Sequence, residues 1–305
     1  MHQVTRRNFI KTSSGLLGAL AINGTFFSCQ DKKLPLAFST LGCPTWPFPD
    51  ILDFAGKNGF TAIEIRGILG QVDLSKCPEF SNRKNILTTR KKAEDKQIKI
   101  IGLGSSAALH HQDEAAWQKD LDDAKRFIDL AQQLNCPFVR VFPNKLPKDQ
   151  NRDYVINLIG ERLLSLGNYA KGSNVVVLME THGDALEVFV IKKIMEAALH
   201  PHTGLLWDVC NMWSVTKVPP GKVYPELKQY IRHTHLKDGK FINGSLIPAL
   251  FGKGECPVFE AVDLLHNDGY KGYYCFEWEK LWYPQIEQPE VAFPVYATDM
   301  KNHLG

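Results

Sequence analysis

No C-x-x-C pair and no zinc-finger spacing joins the seven cysteines, which stand at positions 29, 43, 77, 136, 210, 256 and 275. That removes a thioredoxin-like redox motif and a structural zinc ribbon. A glycine-rich dinucleotide fingerprint is missing too, so nothing in the sequence places a pyrophosphate on a helix N-terminus. Low-complexity tracts and runs of Lys or Arg are absent, and a formal charge of +3 is small for 305 residues, so no nucleic-acid partner is expected. What is left is ordinary globular material, 44% hydrophobic and 23% charged, in a chain long enough to bury a large core.

Residues 1–28 read as an export signal. Thr5-Arg6-Arg7-Asn8-Phe9-Ile10-Lys11 is a charged start, and the apolar stretch from Gly15 to Phe27 is short for a permanent membrane span. The start is similar to the twin-arginine export pattern Ser/Thr-Arg-Arg-x-Phe-Leu/Ile-Lys. Phe26-Phe27-Ser28-Cys29 resembles a lipobox, which implies lipidation of Cys29 as the first residue of the mature protein. Residues 29–33 are then a short linker and residues 34–305 one domain, periplasmic or held at a membrane only through the lipid. An exported protein can pair its cysteines. Cys210 and Cys275, however, fall in predicted core strands, where a thiol packs as a small hydrophobe, so mostly free thiols are expected.

Beyond the signal, short apolar β-branched runs alternate with stretches of helical period. Strands are expected at 36–39, 62–66, 98–102, 138–142, 175–180, 203–208, 233–236 and 273–277. Helices are expected at 49–58, 81–96, 114–134, 152–171, 185–199, 225–231 and 258–267, with a last one after Pro289 closing the bottom or side. Trp117, Leu121, Ala124, Phe127, Ile128, Ala131 and Leu134 show the period, spaced by three and four. This alternation signals βα units on a parallel sheet. Eight of them favour a single α/β chain closed as a (β/α)8 barrel over a flavodoxin-like or Rossmann-like open sheet.

In such a barrel the strand C-terminal ends share one face, and chemistry is built there. Four successive strands in the second half end in a metal-competent side chain: Glu180, Asp208, His235 and Glu277. Ionised carboxylates buried together cost several kcal/mol each unless paired or bound to a cation. Three oxygen donors and one nitrogen suit one divalent ion, Mn²⁺ first, with Mg²⁺, Co²⁺ and Zn²⁺ as alternatives. Arg66 ends the second strand and His110 with His111 follows the third, so Arg66 and His110 are expected to line a substrate pocket, whereas Arg140 is expected to be an ion-pair partner within the fourth strand. Trp46 is either an apolar wall for a sugar ring or a plug in the first loop. Lys237 either contacts substrate or, with Asp238, fixes the loop after His235.

Met-Glu180-Thr-His182-Gly, Trp207-Asp208, His235-Leu-Lys237-Asp238, Gly252-Lys-Gly254-Glu255 and Phe-Glu277-Trp-Glu, in that order, resemble the sugar phosphate isomerase/epimerase superfamily of xylose-isomerase-like barrels, over roughly the whole chain from Leu34 onward. The resemblance implies metal-assisted proton transfer beside a carbonyl, with Glu180 and Glu277 as both ligands and acid/base pair, Asp208 and His235 as ligands only, and His182 bonded to a substrate hydroxyl. It also implies a small sugar substrate and a homo-oligomer. Asn211 stands where many epimerase-like members carry a substrate-binding His; its amide can still bond a substrate but carries no proton at neutral pH. Phosphorylated sugars are cytoplasmic, so an unphosphorylated sugar, keto-sugar or glycoside-derived compound fits an exported enzyme. The alternatives are a lyase or dehydratase using the same chemistry and a non-catalytic sugar-binding lipoprotein.

Overall fold

The computed structural model describes residues 34–305; the export pattern and Cys29 lie outside the described residues. Eight parallel strands close a barrel in the order β1 (Leu36–Ser39), β10 (Tyr274–Phe276), β7 (Ile231–Leu236), β6 (Thr203–Asp208), β5 (Val176–Glu180), β4 (Phe138–Phe142), β3 (Lys99–Ala108) and β2 (Ala62–Ile65). Nine α-helices accompany them among the described residues: α1 (Phe48–Lys57), α2 (Arg83–Asp95), α3 (Glu114–Leu134), α4 (Arg152–Ala170), α5 (Val188–Ala197), α6 (Val209–Thr216), α7 (Pro220–Leu227), α8 (Val258–Asn267) and α9 (Pro289–Leu304). The chain is thus a (β/α)8 barrel, as its rhythm indicates.

Two elements escaped the sequence pattern. Helix α6 starts directly after Asp208, whose carboxylate Oδ1 accepts the Asn211 amide at 2.8 Å and so caps it. An antiparallel hairpin, β8 (Asp238–Ile242) and β9 (Ser245–Ala249), follows β7. Its turn, Asn243-Gly244, has both residues at positive φ, the requirement of a two-residue hairpin turn. The helix expected at 225–231 instead begins at Pro220, since a proline is favoured in a first turn.

Side chains alternate across each strand, so every second residue points into the barrel. Outward residues build the main core against the helices. Phe38 stacks on Phe293 of α9 with centroids 4.2 Å apart, and Tyr296 stacks on Phe276 at 4.6 Å, which seats the last helix on the barrel's side. Trp46 joins this layer, packed on Phe54 and Phe293. It is therefore the plug of the first loop and not a wall of the site. Inward residues are different: Ala37, Ala62, Ile101 and Cys275 form a small apolar plug, and above it the interior turns polar.

Cys210 departs from the expectation of a core-strand thiol. It lies in the first turn of α6 and is bonded to Cys256, 46 residues away, while Cys43, Cys77, Cys136 and Cys275 are free. Asp238 explains why Cys256 is held so near. Its Oδ1 accepts the amides of Gly239 and Cys256, and its Oδ2 accepts that of Gly254 at 2.8 Å, so it pins the 252–256 loop. A Cβ on Gly254 would overlap the Asp238 carboxylate. Gly254→Ala is therefore expected to destabilise the protein by about 1–3 kcal/mol, read as a lower midpoint in urea unfolding.

Candidate metal centre

Glu180, Asp208, His235 and Glu277 close adjacent strands, and one ligand atom from each lies within 4.8 Å of all the others. All four are buried, at 5% exposure or less. Each glutamate is held through one oxygen by a buried cation. Arg140 donates to Glu180 Oε2 at 2.8 Å, and Lys237 donates to Glu277 Oε2 at 2.8 Å. The other oxygens, Oε1 of Glu180 and Oε1 of Glu277, face His235 Nδ1 at 3.4 and 3.3 Å. Asp208 spends Oδ1 on the α6 cap, and its buried Oδ2 makes no hydrogen bond, with only the Lys237 ammonium 2.9 Å away.

Electrostatics sort these groups. Burial works to raise Glu180, but Arg140 and His235 hold it well below the usual carboxylate range. Burial pushes Asp208 up to about 7 against the pull of Lys237, with Glu277 and Glu180 adding to the rise. His235 is pushed well above the imidazole range because Glu277, Glu64 and Glu180 outweigh its desolvation. With Asp208 ionised and His235 stripped of its extra proton, as ligation would require, five carboxylates (Glu64, Glu180, Asp208, Glu277 and Glu279) face three cations (Arg66, Arg140 and Lys237), leaving two negative charges. One divalent ion balances them. The Asp208 Oδ2 that no hydrogen bond satisfies, the convergent Oε1 atoms and this imbalance together fit a bound cation of the oxygen-and-nitrogen type.

An ion must displace the proton that His235 otherwise holds. Metal affinity is therefore expected to rise with pH through the neutral range, about tenfold per unit for each proton released. Calorimetry in buffers of different ionisation enthalpy counts those protons; a pH-independent affinity would remove His235 as a ligand.

The other expected pocket residues divide. Arg66 is buried in the mouth, donating to the Gly104 carbonyl and Ser106 Oγ. His182 packs at a tilt against Phe142 and engages Asn144 Oδ1 through Nδ1 at 3.1 Å; burial and Arg140 lower its pKa, so it is neutral at pH 7. Lys237 sits inside the carboxylate cluster, while Asp238 does the loop-fixing. The Asn211 amide turns to the Thr181 carbonyl at 3.3 Å. His110 packs at a tilt against His111, and burial followed by His111 and Lys145 pushes it down to about 4. Two interior residues were not picked out from the sequence. Glu64 and His233 lie within strands, not at their ends, although they share the inward parity of Arg66 and His235.

A family profile described as a xylose isomerase-like TIM barrel matches residues 52–292. The chain belongs to this family. Among curated relatives, an inosose isomerase of Halalkalibacterium halodurans is 26% identical over 171 residues, which cover 52% of this chain and 55% of the relative. A 3-dehydroshikimate dehydratase of Bacillus anthracis is 24% identical over 199 residues, covering 63% of this chain and 66% of the relative. The match thus spans between about half and two thirds of the curated relatives' length. Among solved structures, D-psicose 3-epimerase from Clostridium cellulolyticum H10 superposes with a TM-score of 0.69 at 15% identity, covering 89% of this chain and 99% of that one, a likeness of fold.

Proposed function

We propose that this xylose isomerase-like barrel is a divalent-metal-dependent isomerase or epimerase that moves a proton beside the carbonyl of a sugar or keto-sugar. The observation that carries this is the matched pair of buried glutamates, each with one oxygen anchored by a cation and the other turned to a shared centre. Glu180, Asp208, His235 and Glu277 would hold the ion, with Mn²⁺ the first choice. Such an ion supplies Lewis acidity, making the proton next to a carbonyl easier to remove and stabilising the charge that develops on oxygen. Glu180 takes or returns that proton from one side and Glu277 from the other. Arg140 and Lys237 keep the two carboxylates aimed. His182, with Nδ1 engaged by Asn144, offers Nε2 to a substrate hydroxyl, and Arg66 borders the same mouth.

Three things support a sugar as substrate: family membership, the isomerase match and the epimerase-like fold. The dehydratase match favours a second reading, in which the same proton removal is followed by loss of a leaving group. Export, with Cys29 lipidated, is supported by residues 5–11 and by the Cys210–Cys256 disulfide, a bond that persists in oxidising compartments. It favours unphosphorylated substrates.

Incubating the metal-loaded protein with unphosphorylated sugars and keto-sugars in D₂O tests this. Deuterium at the carbon next to the carbonyl, with a stereoisomer or ketose product, supports isomerisation; an unsaturated product supports the dehydratase. Protein that binds no divalent ion, or sugars that bind tightly without any exchange, would sink both.

A further inference from the structure

Glu64 and His233 have no part in the chemistry above, yet both are buried to 1% exposure in the barrel interior. Strands β2 and β7 are not neighbours, since β1 and β10 lie between them. The contacts from Glu64 to the two histidines therefore cross the barrel's centre. Glu64 Oε2 faces His235 Nε2 at 3.0 Å and His233 Nε2 at 3.2 Å. Room for this carboxylate is made by Gly102 on β3, where a Cβ would stand 3.1 Å from Glu64 Cγ and 3.2 Å from Oε2. A buried carboxylate is costly next to an apolar side chain of similar volume, which would plug a barrel as well.

We propose that Glu64 is a positioning residue that fixes His235 as a cation ligand. An ionised carboxylate only accepts hydrogen bonds, so a His235 ring facing it keeps its proton on Nε2. The lone pair is then on Nδ1, the atom that faces Glu180 Oε1 and Glu277 Oε1. Without Glu64 the two neutral tautomers compete, and the wrong one turns an N–H toward the centre. His233 donates to the same Oε2 and so prevents Glu64 from swinging away, while Phe138, stacked on His233 at 5.6 Å, holds that ring. A carboxylate behind a ligating histidine strengthens metal binding by about 10- to 100-fold in other sites.

This rests on His235 ligating a cation, as proposed above. The rival arrangement is that Glu64, His233, His235 and Cys275, whose ligand atoms also lie within 4.8 Å of one another, themselves hold an ion. Mn²⁺ titration of the chelator-treated chain separates the two. One Mn²⁺ per chain is expected, with affinity about 10- to 100-fold weaker in Glu64→Gln and unchanged in Cys275→Ser. Should Glu64→Gln not fold, Gly102→Ala crowds the same carboxylate and is expected to weaken Mn²⁺ in the same direction. Nitrogen-15 spectra of the metal-free chain at alkaline pH, where the ring is neutral, should show His235 protonated at Nε2 alone, and a mixture of tautomers in the variant. Equal affinity and an unchanged tautomer in the variants would overturn the positioning role while leaving the proposed function standing. Two ions per chain, reduced to one by Glu64→Gln, would make Glu64 a ligand and overturn it as well. A wild-type chain that binds no Mn²⁺ and no Zn²⁺ fails the proposed function itself.

Discussion

Glu277→Gln is expected to lower turnover by about 10²- to 10⁴-fold with the barrel still folded, and Glu180→Gln to do the same. Glutamine keeps the volume and one acceptor for Lys237 or Arg140, but it cannot take a proton. Folding should survive because Lys237 keeps Asp208 and Glu279 as partners when Glu277 loses its charge. Each glutamate faces the centre from its own strand, so in the epimerase reading each serves one of two stereoisomers. With Glu277 replaced, the stereoisomer whose proton Glu180 removes should still exchange it with D₂O, while conversion to the other stops. Replacing Glu180 should reverse which stereoisomer exchanges. Loss of the ion would instead silence both, so metal content must be measured alongside. Should both variants retain metal and lose exchange from both stereoisomers alike, the two-sided assignment fails.

Much of this site could be read from strand ends. Glu180 and Asp208 each close a run of apolar residues, and His235 and Glu277 stand at or just past such ends, where a barrel gathers side chains from distant parts of the chain. Glu64 and His233 carry no such signal, because they lie within their strands and not at the ends. Period two would have found them, since 64 has the parity of 66 and 233 that of 235. The hairpin was also signalled, by Asn243-Gly244 between apolar residues. The Cys210–Cys256 bond had no comparable signal. Its partners lie 46 residues apart, and they meet because Asp208 caps α6 while Asp238 draws in the 252–256 loop. Nothing around Trp46 in the sequence chooses between a pocket wall and a loop plug; the aromatic layer of α9 makes it the plug.

Lys237→Met is expected to cost the ion-free protein about 3–5 kcal/mol, because it leaves buried carboxylates without their cation. The ammonium lies 2.9 Å from Asp208 Oδ2 and 2.8 Å from both Glu277 Oε2 and Glu279 Oε1, with the residue 7% exposed. Methionine fills nearly the same space, so the loss is one of charge and not of packing. Two consequences set it apart from ordinary core damage. First, the loss should shrink as pH falls: Asp208 is already raised to about 7 with Lys237 present, and without that cation it protonates more readily still. Second, a divalent ion replaces the missing charge. An ion at a thousand times its dissociation constant adds about 4 kcal/mol, and the variant, now more negative at its centre, should gain more than wild type at equal ion concentration. Urea unfolding of chelator-treated and Mn²⁺-loaded protein, at pH 5.5 and 7.5, reads both effects. A loss that is the same in all four conditions would mean that Lys237 contributes packing alone, and the charge balance that argues for a divalent ion at this centre would have to be abandoned.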